Sequence, residues 1–164
     1  MTASGGSRLS LKARAIGLLS RREHSRSELR RKLAAHAEDP LQLESLLNDL
    51  EQGNWLSEER FAENLVHRRA PRHGVRRIMQ ELRQHKLPED SLVELEAQLR
   101  DTEPERAHAV WSKRFSAAPA DAKEYARQLR YMAARGFTAE SLRGILAQEA
   151  NALHDDLSPF DPSD

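Results

Sequence analysis

The charge of this chain runs through three full cycles of basic and then acidic sequence, and this alternation constrains the fold more than any single motif. The blocks with a net positive charge are residues 1–36, 60–86 and 106–135, at +7, +6 and +5. The blocks with a net negative charge are residues 37–59, 87–105 and 136–164, at −7, −6 and −5. A pattern that recurs about every 50 residues is typical of a tandem repeat.

Apolar residues recur at helical spacing within each block. Phe61, Ala62, Leu65 and Val66, for example, fall on one face of a helix. Good helix formers dominate, and no run of alternating β-branched residues indicates a strand. The apolar positions repeat with the period of the charges, at Leu29, Ile78 and Leu129 in each second helix and at Leu46, Leu95 and Ile145 in each third helix. The sequence therefore predicts an all-α protein of three tandem three-helix repeats, forming an elongated, curved module with a basic side and an acidic side.

Capping residues and helix breakers set the expected boundaries. Ser57 is a good N-cap, Pro71 stops the helix that follows it, and Gly74 opens the next one. Gly136 ends the eighth helix, and Thr138 caps a ninth helix that is expected to reach residue 149. We predict a disordered tail over residues 1–8, three-helix repeats over 9–53, 54–100 and 101–149, and an acidic disordered tail over 150–164.

The composition excludes several classes of protein. The chain has no cysteine, so it forms no disulfide, performs no thiol catalysis and has none of the common structural zinc sites. The N-terminal sequence lacks an apolar signal core, and no stretch is long and apolar enough to span a bilayer. We expect a cytoplasmic protein without membrane association.

Catalysis finds little support in the sequence. The seven histidines show no HExxH or other ligand spacing, and neither GxxxxGK[ST] nor GxGxxG occurs. Acidic pairs such as Glu58-Glu59 are adjacent in sequence and suit a helix N-terminus, whereas a general acid and base must converge in a cleft. We predict a protein that is not an enzyme and that uses neither a cofactor nor a metal.

Arginine clusters are the stronger signal, since one falls in each repeat. A planar guanidinium suits phosphate and carboxylate partners, although a single cluster is more often a solvated helix face. We expect Trp55 and Tyr131 to be half-buried core residues rather than exposed anchors. The residues predicted to contact a protein or nucleic-acid partner are Arg22, Arg26, Arg30, Arg31, Arg68, Arg69, Arg72, Arg76, Arg77, Arg127, Arg130 and Arg135.

Four stretches carry the most distinctive motifs of the chain, namely LLSRREHSRSELRRKL (residues 18–33), GNWLSEERFAENLVHRR (53–69), GVRRIMQELRQHKL (74–87) and YMAARGFTAESLRGIL (131–146). Taken in this order, they resemble the RecX family of regulators of the RecA recombinase. The resemblance covers about residues 10–148. The glycine usual in the family before Leu87 is Lys86 here, so the turn at that point is expected to differ.

The resemblance implies three tandem three-helix units and a mechanism. Proteins similar to RecX bind along the groove of the RecA–DNA filament and inhibit its ATP hydrolysis, strand exchange and coprotease activity, in the setting of DNA repair, recombination and the SOS response. The expected partner is thus the RecA filament, with single- and double-stranded DNA as further candidates, and a monomer is expected. Two alternatives stay open, namely a DNA-binding architectural module that acts without RecA and a helical-repeat scaffold for an unrelated acidic protein.

Overall fold

The protein is helical throughout the part of the chain that the structure describes. A computed structural model describes the backbone of residues 9–156 and the side chains of residues 9–152. These residues form α1 (Leu11–Leu19), α2 (Arg26–Leu33), a 3-10 turn (Ala34–His36), α3 (Pro40–Gln52), α4 (Glu58–Arg69), α5 (Val75–Gln84), α6 (Glu89–Asp101), α7 (Glu103–Ser112), α8 (Ala122–Ala134) and α9 (Ala139–Asp156). No strand occurs between residues 9 and 156. The predicted all-α class is confirmed.

Side-chain caps begin most of these helices, as the sequence indicated. In each case an oxygen accepts a hydrogen bond from the backbone N–H three residues further on, which satisfies one of the otherwise unpaired first-turn donors. The capping residues are Ser10, Ser25, Asp39, Ser57, Asp121 and Thr138. Gly136, at φ +87°, adopts the left-handed conformation that ends α8.

The helices group into two compact units. The first unit contains the chain up to Val66 together with Leu82–Pro88, and the second contains His67–Glu81 and the chain from Glu89 onward. The middle three-helix repeat is therefore divided, since α4 and α5 each contribute residues to both units.

Leucines fill the core of the first unit. Leu29, Leu33, Leu47 and Leu50 are almost completely buried, and they join α2 to α3. The end of α5 is fixed in the same unit at His85, whose Nδ1 lies 2.9 Å from the Ser25 hydroxyl oxygen. These contacts bury the apolar faces that the sequence assigned to the first repeat.

Aromatic residues fill the core of the second unit. Trp111 is 2% exposed, and Phe115, Met132 and Phe137 are buried in the same cluster as the apolar face of α9. The Trp111 indole Nε1–H donates to Gln128 Oε1 at 2.8 Å, so the polar edge of a buried ring is satisfied by a side chain that is 1% exposed.

Replacing Gln128 by methionine is expected to lower the free energy of unfolding by about 1.5 kcal/mol, because a buried indole donor then loses its acceptor. Urea unfolding followed by tryptophan fluorescence measures the change. Ser112→Ala is the matched control, since the Ser112 hydroxyl donates only to a carbonyl at the exposed surface of its own helix. Equal stability of Gln128→Met and the parent protein would contradict the assigned role.

The structure corrects two expectations from the sequence. Helix α9 continues to Asp156, so the segment expected to be disordered from residue 150 is helical over its first part. Trp55 is 53% exposed and does not belong to the core. The tail predicted over residues 1–8, and residues 157–164 of the tail predicted over 150–164, lie outside the described residues.

The turn before Leu87 contains Lys86, where the resemblance to the RecX family led us to expect a glycine. Lys86 has a φ of +56°, a left-handed conformation in which glycine carries no Cβ penalty. The lysine therefore keeps the backbone conformation that suits a glycine. No helix among residues 9–156 has the length and hydropathy of a membrane-spanning segment.

Candidate functional site: a basic groove in the second unit

The arginines of α2 bind the carboxylates of α3 in the first unit. Arg26 donates to Glu44 at 2.8 Å and to Glu51 at 2.6 Å, and Arg30 Nη2 donates to Glu44 at 3.0 Å. The basic second helix and the acidic third helix of this repeat therefore face each other. The expected separation of the charges onto opposite sides is wrong here, because the guanidiniums of α2 lie within hydrogen-bond distance of the carboxylates of α3.

The pairing of Glu44 also changes its titration. The hydrogen bonds from Arg30 and Arg26 outweigh the effect of desolvation and lower the pKa of Glu44 to about 2. The side chains of Arg30 and Glu44 both remain about 40% exposed, so solvent screens most of the interaction between them. These arginines connect helices, whatever else they contact.

An ion pair with a buried carboxylate fixes the segment that leads into α2. Glu28 is 6% exposed, and Arg22 Nη1 donates to its Oε2 at 3.0 Å while Arg22 Nη2 contacts its other oxygen. Burial by itself raises the pKa of Glu28, but the hydrogen bond from Arg22 and the nearby cations lower it to about 2. Glu28 lies three residues after the N-cap Ser25, the position of the acidic partner in a capping box, but its carboxylate binds Arg22 instead.

Two glycines bring the arginines of the second unit together. The Gly74 N–H donates to the Arg135 carbonyl at 2.8 Å, so the start of α5 lies directly against the turn after α8. A Cβ on Gly74 would lie 2.4 Å from the Gly136 carbonyl oxygen, and a Cβ on Gly136 would lie 2.5 Å from Arg77 Cβ. Only the absence of both side chains allows this approach.

Arg106 holds the loop between α4 and α5 from the inside. Its guanidinium donates to the carbonyls of Ala70 at 3.2 Å, His73 at 2.6 Å and Leu99 at 2.8 Å. Burial lowers the pKa of this guanidinium, and three carbonyl oxygens solvate its charge in place of water. Arg106 was absent from the predicted contact residues, and no sequence motif distinguishes it from its neighbours.

A basic groove results from these contacts. It has a volume of about 630 Å³ and contains three of the predicted arginines, together with Lys113 and His73, which the sequence analysis did not select. No carboxylate lines it among the described residues. The lining residues are Pro71, Arg72, His73, Arg77, Val110, Lys113, Tyr131, Ala134 and Arg135.

Two of the groove arginines are held in place. Arg77 Nη1 donates to the Ala134 carbonyl at 3.0 Å, and the guanidinium carbon of Arg135 lies 3.7 Å from the centre of the Tyr131 ring. A cation stacked on an aromatic face loses little freedom when it binds a ligand. Arg72 and Lys113 are exposed and form no ion pair with any described side chain.

His73 is the titratable group of the groove. Its own burial lowers the pKa of the imidazole, and the nearby Arg77 guanidinium lowers it further. Both effects disfavour the charged form of the imidazole. Neutral imidazole still offers an N–H donor to an anion.

The remaining predicted residues lie outside the groove. Arg69 forms a bidentate pair with Glu81 at 2.8 Å, and Arg127 binds Glu124 on its own helix at 2.8 Å. The other four, all exposed, are Arg31, Arg68, Arg76 and Arg130. Whether any of the twelve arginines contacts a partner stays a prediction.

These features define the class of protein. It is a helical-repeat protein of tandem three-helix domains with a basic groove in its second unit. Among the residues that the structure describes, no group of three His, Cys, Asp or Glu side chains is placed to hold a metal ion.

Comparison with known proteins identifies the family. Models of the first, second and third three-helix domains of RecX match residues 12–40, 57–91 and 101–144, in that order. The regulatory protein RecX of Ralstonia nicotianae is 58% identical over 148 residues, which cover 90% of this chain and 92% of that protein. That of Leptothrix cholodnii is 49% identical over 144 residues, covering 88% and 92%. The chain belongs to the RecX family of regulatory proteins.

A solved structure supports the same fold. The crystal structure of RecX from Lactobacillus salivarius superimposes with a TM-score of 0.72, covering 86% of this chain and 95% of that one. The two sequences are 17% identical, so this similarity concerns the fold alone. The resemblance noted in the sequence is confirmed.

Proposed function

We propose that this protein binds the RecA–DNA filament and inhibits its ATP hydrolysis, strand exchange and coprotease activity. The observation that carries the proposal is the ordered match of all three RecX domains, together with relatives of high identity that are named as regulatory proteins. The protein acts by binding rather than by catalysis, as a cytoplasmic monomer without a cofactor.

The arrangement of charge in the second unit suggests how binding occurs. Its cations line an open groove in which no described residue places a carboxylate, so an anionic surface of the filament meets no repulsion from those residues. A protein that contacts neighbouring RecA protomers adds binding energy to one filament geometry. If that geometry differs from the one that hydrolyses ATP, the differential affinity shifts the filament away from activity.

The test of the proposed function is the DNA-dependent ATPase of RecA, with this protein added in substoichiometric amounts. Inhibition supports the proposal, because one bound molecule then affects several protomers. An unchanged ATPase at saturating protein would refute it and would favour a scaffold or a DNA-binding module that acts without RecA. Inhibition that weakens as salt rises from 50 to about 200 mM supports electrostatic binding, and affinity independent of salt would exclude it.

Reversing two charges on α5 is expected to weaken the inhibition. Arg76 and Arg77 are exposed, whereas Val75, Ile78 and Met79 form the buried face of the same helix. Arg76→Glu with Arg77→Glu should raise the concentration needed for half-inhibition at least about tenfold, since each reversal replaces attraction by repulsion. Circular dichroism should show unchanged helicity.

The matched control reverses two exposed cations outside the groove, Lys12 on α1 and Arg143 on α9. This variant changes the net charge by the same amount. Inhibition equal to that of the parent protein is expected. A similar loss in both variants would show that net charge matters and that the position on α5 does not.

A further inference from the structure

We propose that the basic groove of the second unit is a phosphate-binding site for a nucleic-acid backbone. The inference rests on the proposed function and deepens it, because it assigns one surface of a filament-binding protein to DNA. The occupants are the phosphodiester groups of a single strand or of a duplex, which share the same chemistry.

The charge balance of the groove is the first reason. Arg72, Arg77, Lys113 and Arg135 supply four positive charges, and no carboxylate lines the groove among the described residues. In the first unit, by contrast, Arg26 meets two glutamates of its own chain. Cations that a fold leaves without acidic neighbours are the ones available to an external anion.

The geometry of the cations is the second reason. They come from the α4–α5 loop, from α5, from the residue after α7 and from the end of α8, yet they line one open groove. A polyanion with a charge on every residue of its backbone can contact all of them at once. A phosphodiester chain carries a negative charge at every nucleotide whatever its base sequence, whereas a peptide carries one only at its acidic residues.

The aromatic content of the groove excludes base stacking as the main mode of binding. Apart from His73, the aromatic residue that lines the groove is Tyr131. The Arg135 guanidinium covers the face of its ring, with the guanidinium carbon 3.7 Å from the ring centre. Proteins that stack bases present free aromatic faces. Binding is therefore expected to be independent of base sequence and to run through the backbone.

The groove is also organised before a ligand arrives. The contact between Gly74 and Gly136 and the hydrogen bonds of Arg106 fix the backbone below it. Arg77 is held by the Ala134 carbonyl, and its other N–H groups remain for a phosphate. Preorganised donors lose less conformational entropy on binding.

The experiment measures DNA binding without RecA. Fluorescein-labelled 20-nucleotide single-stranded DNA and the corresponding duplex are titrated with the full chain, and anisotropy is followed at several salt concentrations. Arg72→Ala with Lys113→Ala is the test variant, because both side chains are exposed and neither forms an ion pair with a described residue. Lys12→Ala with Arg143→Ala removes the same charge elsewhere.

We expect the groove variant to bind DNA at least about tenfold more weakly at 50 mM salt, with a salt slope smaller by about 1.4 for the single strand and about 1.8 for the duplex. The control should bind like the parent protein. Comparison of the two labelled forms assigns the source to single strand or duplex. Three results would overturn the inference: no binding by the parent protein, an equal loss in both variants, or displacement of DNA by poly-glutamate at an equal charge concentration.

The RecA ATPase assay separates this inference from the proposed function. A groove variant that binds DNA normally but no longer inhibits RecA would assign the groove to the protein part of the filament and overturn the phosphate site. A parent protein that binds DNA through the groove and leaves the ATPase unchanged would refute the proposed function alone.

Discussion

Replacing Gly74 by alanine is expected to lower the free energy of unfolding by about 3 kcal/mol, the upper part of the usual range for overpacking. The new Cβ would lie 2.4 Å from the Gly136 carbonyl oxygen and 2.6 Å from the Phe137 nitrogen. Both are backbone atoms, so no side chain can rotate away, and the two segments must separate. Gly136→Ala should cost at least as much, because it adds a left-handed φ of +87° to a clash with Arg77. Urea denaturation measures both effects.

Gly144→Ala provides the matched control in the same unit. A Cβ at this position meets nothing within 4 Å, and Gly144 lies inside α9. The substitution should stabilise the protein by about 0.5 to 1 kcal/mol through the higher helix propensity of alanine. If Gly74→Ala were as stable as Gly144→Ala, the close approach that builds the groove would not exist in solution.

Replacing Glu28 by glutamine is expected to lower the free energy of unfolding by about 2 kcal/mol at pH 7, because Arg22 and Lys32 lose a buried carboxylate partner. The expected value is below the range for fully buried pairs, since both cations are more than one third exposed. Urea unfolding of the parent protein and the variant between pH 2 and pH 7 measures the difference.

The difference between the two proteins should depend on pH in a defined direction. The pKa of Glu28 is about 2 in the folded protein, compared with an ordinary value of 4.5. The stabilisation by the ionised Glu28 carboxylate is therefore complete above pH 4.5. It falls as the pH drops from 4.5 towards 2, and it disappears near pH 2. A difference that stays constant from pH 7 to pH 2 would contradict an ionised Glu28 in the fold.

Glu44→Gln serves as the control for burial. Its carboxyl has a pKa of about 2 as well, but its side chain is 40% exposed. Solvent screens its pairs with Arg26 and Arg30, so the substitution should cost less than about 1 kcal/mol. The comparison separates the effect of ionisation, which the two carboxylates share, from the effect of burial, which they do not.

The repeat pattern was readable because helical periodicity is a local property. Leu29, Ile78 and Ile145 were placed on inward faces from spacing alone, and each is at most 2% exposed. The caps Ser57 and Thr138 were readable for the same reason, since a capping side chain and its donor lie three residues apart.

The basic groove was only partly predictable. Arg72, Arg77 and Arg135 were selected as members of clusters, but Lys113 and His73 were not. Membership in the groove depends on the contact between Gly74 and Gly136, which are 62 positions apart in the sequence. Neither glycine by itself indicates the other, because each also has a local explanation at a helix end.

By itself, the sequence determined the helices, their threefold order, their buried faces and the family, since these depend on residues within a few turns of one another or on ordered motifs. Only the tertiary structure decided which charges remain available. Arg26 and Arg72 are equivalent as members of basic clusters, yet Arg26 binds glutamates of α3, while the described residues that line the groove of Arg72 include no carboxylate. The electrostatic field at a guanidinium depends on the charged groups that lie near it in space, because Coulomb interactions depend on the distance between charges and not on their separation in the sequence.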